Sequence, residues 1–356
     1  MFPTRCLATM TVAALALAAC TGGDGVAEDP GFSPEDPVTV TLLSHDSFVM
    51  PDEIIELLAE EGIDLELLPG GDAGAVLNQA IISAGNPQAD VLFGIDSTLL
   101  TRGLDADLFE PYEAEALDAI PDDLELDPEH RVTPVDVSDV CINFDKEAYG
   151  DDLPVPTTMD DLTDPAYAGQ LVVENPATSS PGLAFLLRTI AEYGEDGWQD
   201  YWQALVANDV EVTAGWEDAY YGVFSGGSSE GDRPLVVSYS TSPPAEVLFG
   251  PDPEADESPI GTMVESCYRQ IEFAGVLRGT EVRSAAERVV EVLVSPEFQA
   301  TVPLNMFVEP ARDDVELPEV FVKFAERPDS PAELDPATIT ENRDRWIKEW
   351  TELVLS

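Results

Sequence analysis

Lysine is almost missing from this chain: Lys146, Lys323 and Lys348 are the only ones in 356 residues. All basic residues number 16, against 71 acidic ones, and the formal net charge is −55. That balance excludes nucleic acid as a partner, because holding a phosphate backbone requires a basic surface. Histidine is as scarce, with only His45 and His130. No Cys/His cluster has zinc-site spacing, so no metal site is assigned. No glycine-rich phosphate motif follows a strand, so no nucleotide cofactor is expected. No internal repeat is visible, and no apolar run after the N-terminus is long enough to span a membrane. Gly227-Ser228-Ser229-Glu230-Gly231 satisfies G-x-S-x-G formally. It lies in a polar loop that runs into a strand rather than at a strand–turn–helix elbow, and reads as a turn. With so many carboxylates, no catalytic acidic pair stands out. A secreted hydrolase using acidic residues is the reading from another class, and the expectation is that the chain is not an enzyme. Acidic residues spread along the whole length suit a salty environment, in which ions screen self-repulsion.

The N-terminus carries a different pattern. Arg5 precedes an apolar run from Leu7 to Ala19, and Leu17-Ala18-Ala19-Cys20 closes it. A charged start, a short apolar stretch and a small-residue cleavage site make a secretory signal, residues 1–19. A cysteine just after the cut is the lipobox pattern of bacterial lipoproteins. The expectation is export and a lipid on Cys20, tethering the chain to the outer face of the cell membrane or leaving it periplasmic. Residues 20–37, rich in Gly, Asp, Glu and Pro, are expected as a flexible linker. Cys6 leaves with the signal, so Cys141 and Cys267 remain. In an exported chain they form one disulfide or stay as two buried thiols; the disulfide is the expectation.

Hydrophobic content of 44% supports real cores, and the length allows two domains. Alternating β-branched residues predict a strand at 38–44. Pro51 opens a helix with acidic residues in its first turn, ended by Gly62. A strand at 63–68, a Gly70-Gly71 turn, a helix at 75–84 and an apolar strand at 89–95 follow. This alternation predicts α/β architecture with a largely parallel sheet. Further on, 132–144 is apolar, Ser180 is the expected N-cap and Pro181 the first position of a helix reaching Tyr193, and 197–208 is a Trp-rich helix. Strands are predicted at 235–239 and 263–277, and helices at 284–294 and 339–355.

Polar residues gather where strands end and helices begin: Asp96-Ser97, Ser179-Ser180, and Tyr239 to Ser242. Ligands of open α/β sheets bind beyond the carboxyl ends of strands, and N–H groups at a helix start suit an anion. Trp216, Tyr220, Tyr221 and Tyr239 accompany them. Aromatic faces beside carboxylates suit a flat or cationic organic ligand.

On these residues the chain resembles the periplasmic thiamine-binding proteins of ABC importers, within the two-lobed solute-binding proteins. The resemblance spans about residues 38–350. Its markers are Asp46-Ser47-Phe48, Ala89 to Asp96, Thr178 to Leu183, Val212 to Tyr220, Val237 to Pro243, Val294 to Gln299, and Trp346 to Trp350. The Gly215-Trp216-x-x-Ala219-Tyr220 and Ser238-Tyr239-x-Thr241-Ser242-Pro243 blocks are the most specific.

The resemblance implies a type II-like two-lobed periplasmic-binding-protein fold with hinge crossovers. Lobe 1 would be 38–140 plus 268–333, lobe 2 would be 141–267, and 334–356 a C-terminal helix. It implies a clamp that closes on thiamine or its phosphates and delivers the ligand to an ABC permease. Asp96, Ser97, Ser179, Ser180, Trp216, Tyr239, Ser240, Thr241 and Ser242 match ligand-contacting positions, with Tyr220 in the same neighbourhood. His45 stands where the family often has Tyr, and Phe307 where it has Trp. By the same resemblance Cys141 and Cys267 sit at the hinge. The rival within the fold is ferric-ion binding through Tyr220-Tyr221, His45 and Asp96.

Overall fold

The computed structural model describes residues 29–356; Cys20 and the proposed signal lie outside the described residues. Among the described residues nine strands form one continuous sheet: β1 Val38–Ser44, β2 Ile63–Pro69, β3 Val91–Asp96, β4 Thr133–Asp145, β5 Leu171–Glu174, β6 Glu211–Thr213, β7 Leu235–Tyr239, β8 Ile260–Val276 and β9 Glu309–Pro310. The order is β2-β1-β3-β8-β4-β7-β5-β6, with β9 on β4. The flanks are parallel, β1 with β2 and β3 at one end, β5 with β6 and β7 at the other. The centre is antiparallel, which corrects the expectation of a largely parallel sheet. The reason is non-local: β4 and β8 are long strands running in opposite directions through both lobes.

β4 and β8 make the hinge. Thr133 to Val137 of β4 pairs with the far end of β8 and with β9, whereas Val140 to Phe144 pairs with β7 and the near end of β8. The register breaks between Pro134 and Asp136, and again between Val140 and Ile142. At the second break Val140 faces Tyr268 but Ile142 faces Met263, so Val264 to Cys267 bulges out of the ladder. Cys141 and Cys267 are joined by a disulfide at this bulge. The bond closes a loop over a sequence separation of 126 and ties the crossover strands where their pairing is interrupted.

The core follows from the strand faces. Val40, Leu42, Val91 and Phe93 pack under the helix Arg283–Leu293 through Ala286, Val289 and Val290. The opposite face carries Leu43, Leu92, Val76 and Leu77 in one lobe and Leu183, Phe185 and Trp202 in the other. The C-terminal helix Pro336–Val354 seats Trp350 edge-on against Trp202, with ring centroids 5.3 Å apart. Residues 29–37, expected as linker, are instead docked on the first lobe. Asp29 accepts hydrogen bonds from the Ser284 N–H and hydroxyl, and Phe32 packs on the core. Among the described residues no helix is long and apolar enough to cross a membrane.

Candidate functional site

Between the lobes lies a cleft of about 790 Å³, large enough for a small organic ligand. Its second-lobe wall is aromatic. Trp216 stacks on Tyr220 with centroids 4.9 Å apart and planes 24° apart, and Tyr239 stands 6.0 Å from Trp216. The indole N–H donates to Ser238 Oγ at 2.9 Å, and Ser238 Oγ lies 2.9 Å from Ser242 Oγ. This chain fixes the plane of the ring. The Tyr220 hydroxyl donates to Glu246 Oε1 at 2.8 Å, and Glu246 also accepts from the Ser228 N–H. The G-x-S-x-G loop therefore closes on a carboxylate and is not a nucleophile elbow.

The first-lobe wall carries His45 and Phe307. His45 lies against β3 because residue 94 is Gly. Its φ is +92°, and a Cβ there would stand 2.3 Å from the imidazole. Phe307 has φ of +54°, uncommon for a bulky residue. Its carbonyl accepts from Thr241 Oγ1 at 2.5 Å, and its ring stacks on Phe321.

Of the sequence-predicted residues, His45, Ser180, Trp216, Tyr220, Tyr239, Ser242 and Phe307 line the cleft. Asp96, Ser97, Ser179, Ser240 and Thr241 do not. Asp96 is fully buried, accepting from Thr98 Oγ1 and N–H at 2.6 Å and bonding Ser180 Oγ and Gln270. Ser97 bonds across to Ile271 of β8. Ser179, not Ser180, caps the helix Ser180–Tyr193, and this frees the Ser180 hydroxyl to reach Asp96. The Ser240 N–H donates to the Asp139 carbonyl, and Thr241 serves Phe307. These residues support the wall from behind.

Sequence reasoning missed Asp72 and Glu272. Asp72 caps the helix Ala73–Ile82 and reaches across the cleft. Its Oδ1 accepts from Ser180 N–H at 3.0 Å and its Oδ2 from Trp216 N–H at 3.1 Å. Glu272 of β8 lines the cleft, with Oε2 3.6 Å from His45 Nε2. The Asp-before-apolar-helix pattern was a visible signal for the cap. Nothing local marked Glu272.

Carboxyl groups crowd beneath this site. Burial, with Glu272 adding charge, pushes Asp136 well above the usual range and Asp96 up to about 6. Burial also raises Asp72 and, with Asp72 adding charge, Glu174. Burial works against protonated His45, but the Glu272 carboxylate beside it raises the imidazole on balance.

These directions set a pH dependence. A group whose folded pKa is raised contributes stability below its unfolded value and loses it as pH rises through the folded one. For Asp96, about 6 against 3.8, the difference is on the order of 3 kcal/mol. Asp161 and Asp314 are lowered, the first by the N–H groups of Thr157 and Thr158, the second by Arg312, and they lose stability on acidification below their ordinary range. The melting temperature is therefore expected to rise as pH falls from 7 and to peak between about pH 4 and 6. A calorimetric scan at fixed high salt checks it, and a steady decline from pH 7 downward would contradict it.

Of the ferric set, His45, Tyr220 and Tyr221 line the cleft and Asp96 does not. Tyr220 is engaged by Glu246, burial with the nearby Glu246 charge holds its phenol well above its usual range, and Asp96 is sealed behind the wall. Among the described residues no group of three or more His, Cys, Asp or Glu is placed to hold a metal ion.

Comparison with known proteins agrees with this architecture. Residues 86–326 match the family described as bacterial extracellular solute-binding protein. The thiamine-binding periplasmic protein of Escherichia coli (strain K12) is 30% identical over 322 residues, covering 88% of this chain and 93% of that protein. A solved periplasmic thiamin binding protein superposes with a TM-score of 0.78 at 28% identity, covering 92% of this chain and 99% of that one. The ferric binding protein from Campylobacter jejuni shares the fold, with a TM-score of 0.68 at 18% identity, over 88% of this chain and 99% of that one. With a two-lobed α/β fold, a hinge of two crossing strands and a ligand-sized cleft between the lobes, the chain belongs to the bacterial extracellular solute-binding protein family.

Proposed function

We propose that the cleft binds thiamine and that the chain hands it to an ABC importer outside the cell membrane, catalysing nothing. The observation that carries this reading is the pairing of a fixed aromatic wall, Trp216 on Tyr220 with Tyr239 beside it, with a carboxylate in the same cleft. Thiamine has a permanently cationic thiazolium and a flat aminopyrimidine. Aromatic faces stabilise such a cation by about 0.5–2 kcal/mol per contact, and a carboxylate strengthens both the charge attraction and hydrogen bonds from an amino group. Relatives named for thiamine binding align over most of the chain, which supports the same reading.

In this reading the chain is exported and held by a lipid on Cys20, and its acidic surface suits a saline exterior. Partition into the detergent phase, lost in Cys20→Ser, tests the anchor. For the ligand, the chain lacking residues 1–20 is titrated with thiamine by calorimetry in about 2 M salt, which screens self-repulsion. One-to-one binding tighter than about 1 μM is expected, a free energy near −8 kcal/mol. No heat from thiamine in folded protein, with heat from Fe³⁺, would replace this reading with the ferric one.

A further inference from the structure

One row of the sheet places three acids side by side at the hinge. Asp96 of β3 is opposite Glu272 of β8, and Glu272 is opposite Asp136 of β4. Residues directly opposite on antiparallel strands are close neighbours. Asp96 spends its oxygens on Thr98, Leu99, Ser180 and Gln270. Asp136 is completely buried, and neither of its oxygens meets a hydrogen-bond donor among the described residues. Glu272 is the member of the row that reaches the cleft, with 12% of its side chain exposed. Among the described residues no Lys or Arg forms an ion pair with Asp72, Asp96, Asp136, Glu174 or Glu272. The basic group present is His45, whose Nε2 is otherwise unpartnered.

Isolated buried charges are too costly to persist, so such a cluster holds protons until a cation arrives. We propose that Glu272 selects the positive charge of the ligand and that His45, Asp136 and Asp96 form a linked proton store, so that a quaternary cation enters as a proton leaves to solvent. The proposal rests on the thiamine reading and gives that site its charge selectivity.

The groups facing Glu272 come from every element around it. They are His45 after β1, Asp96 on β3, Asp136 on β4 and Tyr239 from the second lobe, while Asp46 and Asp72 act on His45, and Asp72 on Glu174. Burial holds Tyr239 well above its usual range, so it stays neutral. The exchangeable proton is the one on His45, whose Nε2 lies 3.6 Å from Glu272 Oε2 and whose imidazole that neighbouring carboxylate raises. A cation beside Glu272 weakens the hold on that proton. His45 becomes neutral, its proton goes to buffer, and the ligand takes over the ion pair. Charge is conserved: one positive charge replaces another. Binding must then tighten as pH rises through the titration of His45, the reverse of the stability trend.

The test is calorimetry on the chain lacking residues 1–20, with thiamine, at pH 7 in phosphate and in Tris, whose ionisation enthalpies differ widely. The expected result is a buffer-dependent enthalpy equivalent to about half to one proton released per thiamine. Glu272→Gln is expected to lose about 30- to 100-fold in thiamine affinity and most of the proton release. The same variant should change affinity by less than about threefold for an analogue whose thiazolium is an uncharged thiophene ring. Asp136→Asn should shift the pH profile of thiamine binding and lower the proton release, a change that mere packing would not cause. Equal heats in both buffers, with Glu272→Gln within threefold of the parent for thiamine, would overturn the proposal and leave the thiamine reading standing. No heat from either compound in folded parent protein would overturn both.

Discussion

Trp216→Ala is expected to lower thiamine affinity by about 100-fold or more while the chain remains folded. Trp216 is held at both ends, by its N–H on Asp72 and its indole N–H on Ser238, and one face rests on Tyr220. Tyr221 stands edge-on to the ring and Tyr239 tilted beside it, and the indole lines the cleft. Truncation removes a cation–π contact of about 0.5–2 kcal/mol and the apolar area a flat ring would cover. Buried Trp anchors in binding sites cost about 2 kcal/mol or more when cut to Ala. Near 3 kcal/mol in total corresponds to the stated loss. The ring is only half-buried, so the cost to stability is smaller than for Trp202 or Trp350, which are closed into the core. Trp216→Phe keeps a ring and should lose less than about tenfold. Titration of the three proteins decides it; an Ala variant within threefold of the parent would remove Trp216 from the site.

Part of this was legible in advance because part of it is local. Val38–Ser44 alternates, Pro51 and Gly62 bracket the first helix, and the apolar run ending at Ile95 reads as a strand, and the structure has these elements. The antiparallel centre was not legible. Its cause is the pairing of β4 with β8, more than a hundred residues apart, and no local pattern encodes which long strand meets which. The site divided the same way. Aromatic residues in the Trp216 and Tyr239 blocks were visible and line the cleft. Asp96 was read as a cleft residue from its place at a strand end, but the strand runs into Thr98 and Leu99, whose N–H groups fold back on the carboxylate and bury it. Glu272 was hidden among 71 acidic residues in a stretch of mixed polar and apolar character. Its meaning comes from two neighbours on other strands, which composition cannot show. Ser179 and Ser180 exchanged roles by a shift of one residue at a helix start, a distinction that depends on where the first turn begins.

Asp72→Ala is the second substitution with a large expected effect, and it separates closure from ligand contact. Asp72 belongs to the first lobe, while Ser180 and Trp216, whose N–H groups it accepts, belong to the second. One carboxylate therefore bridges the lobes through two backbone N–H groups, beside the side-chain bridges of Ser180 to Asp96 and Gln270, of Thr241 to the Phe307 carbonyl, and of Ser47 Oγ to Glu217 at 3.3 Å. The lobes approach closely at the same place, since a Cβ on Gly74 would stand 2.7 Å from the Thr178 carbonyl. Without Asp72 the Ser180 and Trp216 N–H groups lose their partner in the closed form, at about 1–3 kcal/mol each. The open form, where water reaches both, loses nothing. The closed population falls, and because binding draws on that population, affinity should fall by about 30- to 700-fold for a net 2–4 kcal/mol. Stability should drop by only about 1 kcal/mol, the usual cost of a missing N-cap. Asp72→Asn keeps one acceptor oxygen for Ser180 but turns an amide N–H₂ toward the Trp216 N–H, so its affinity should lie between the two. X-ray scattering of ligand-free protein gives an independent readout, with Asp72→Ala expected to have the larger radius of gyration at unchanged secondary structure. Unchanged scattering together with unchanged affinity would show that the lobes close without this carboxylate.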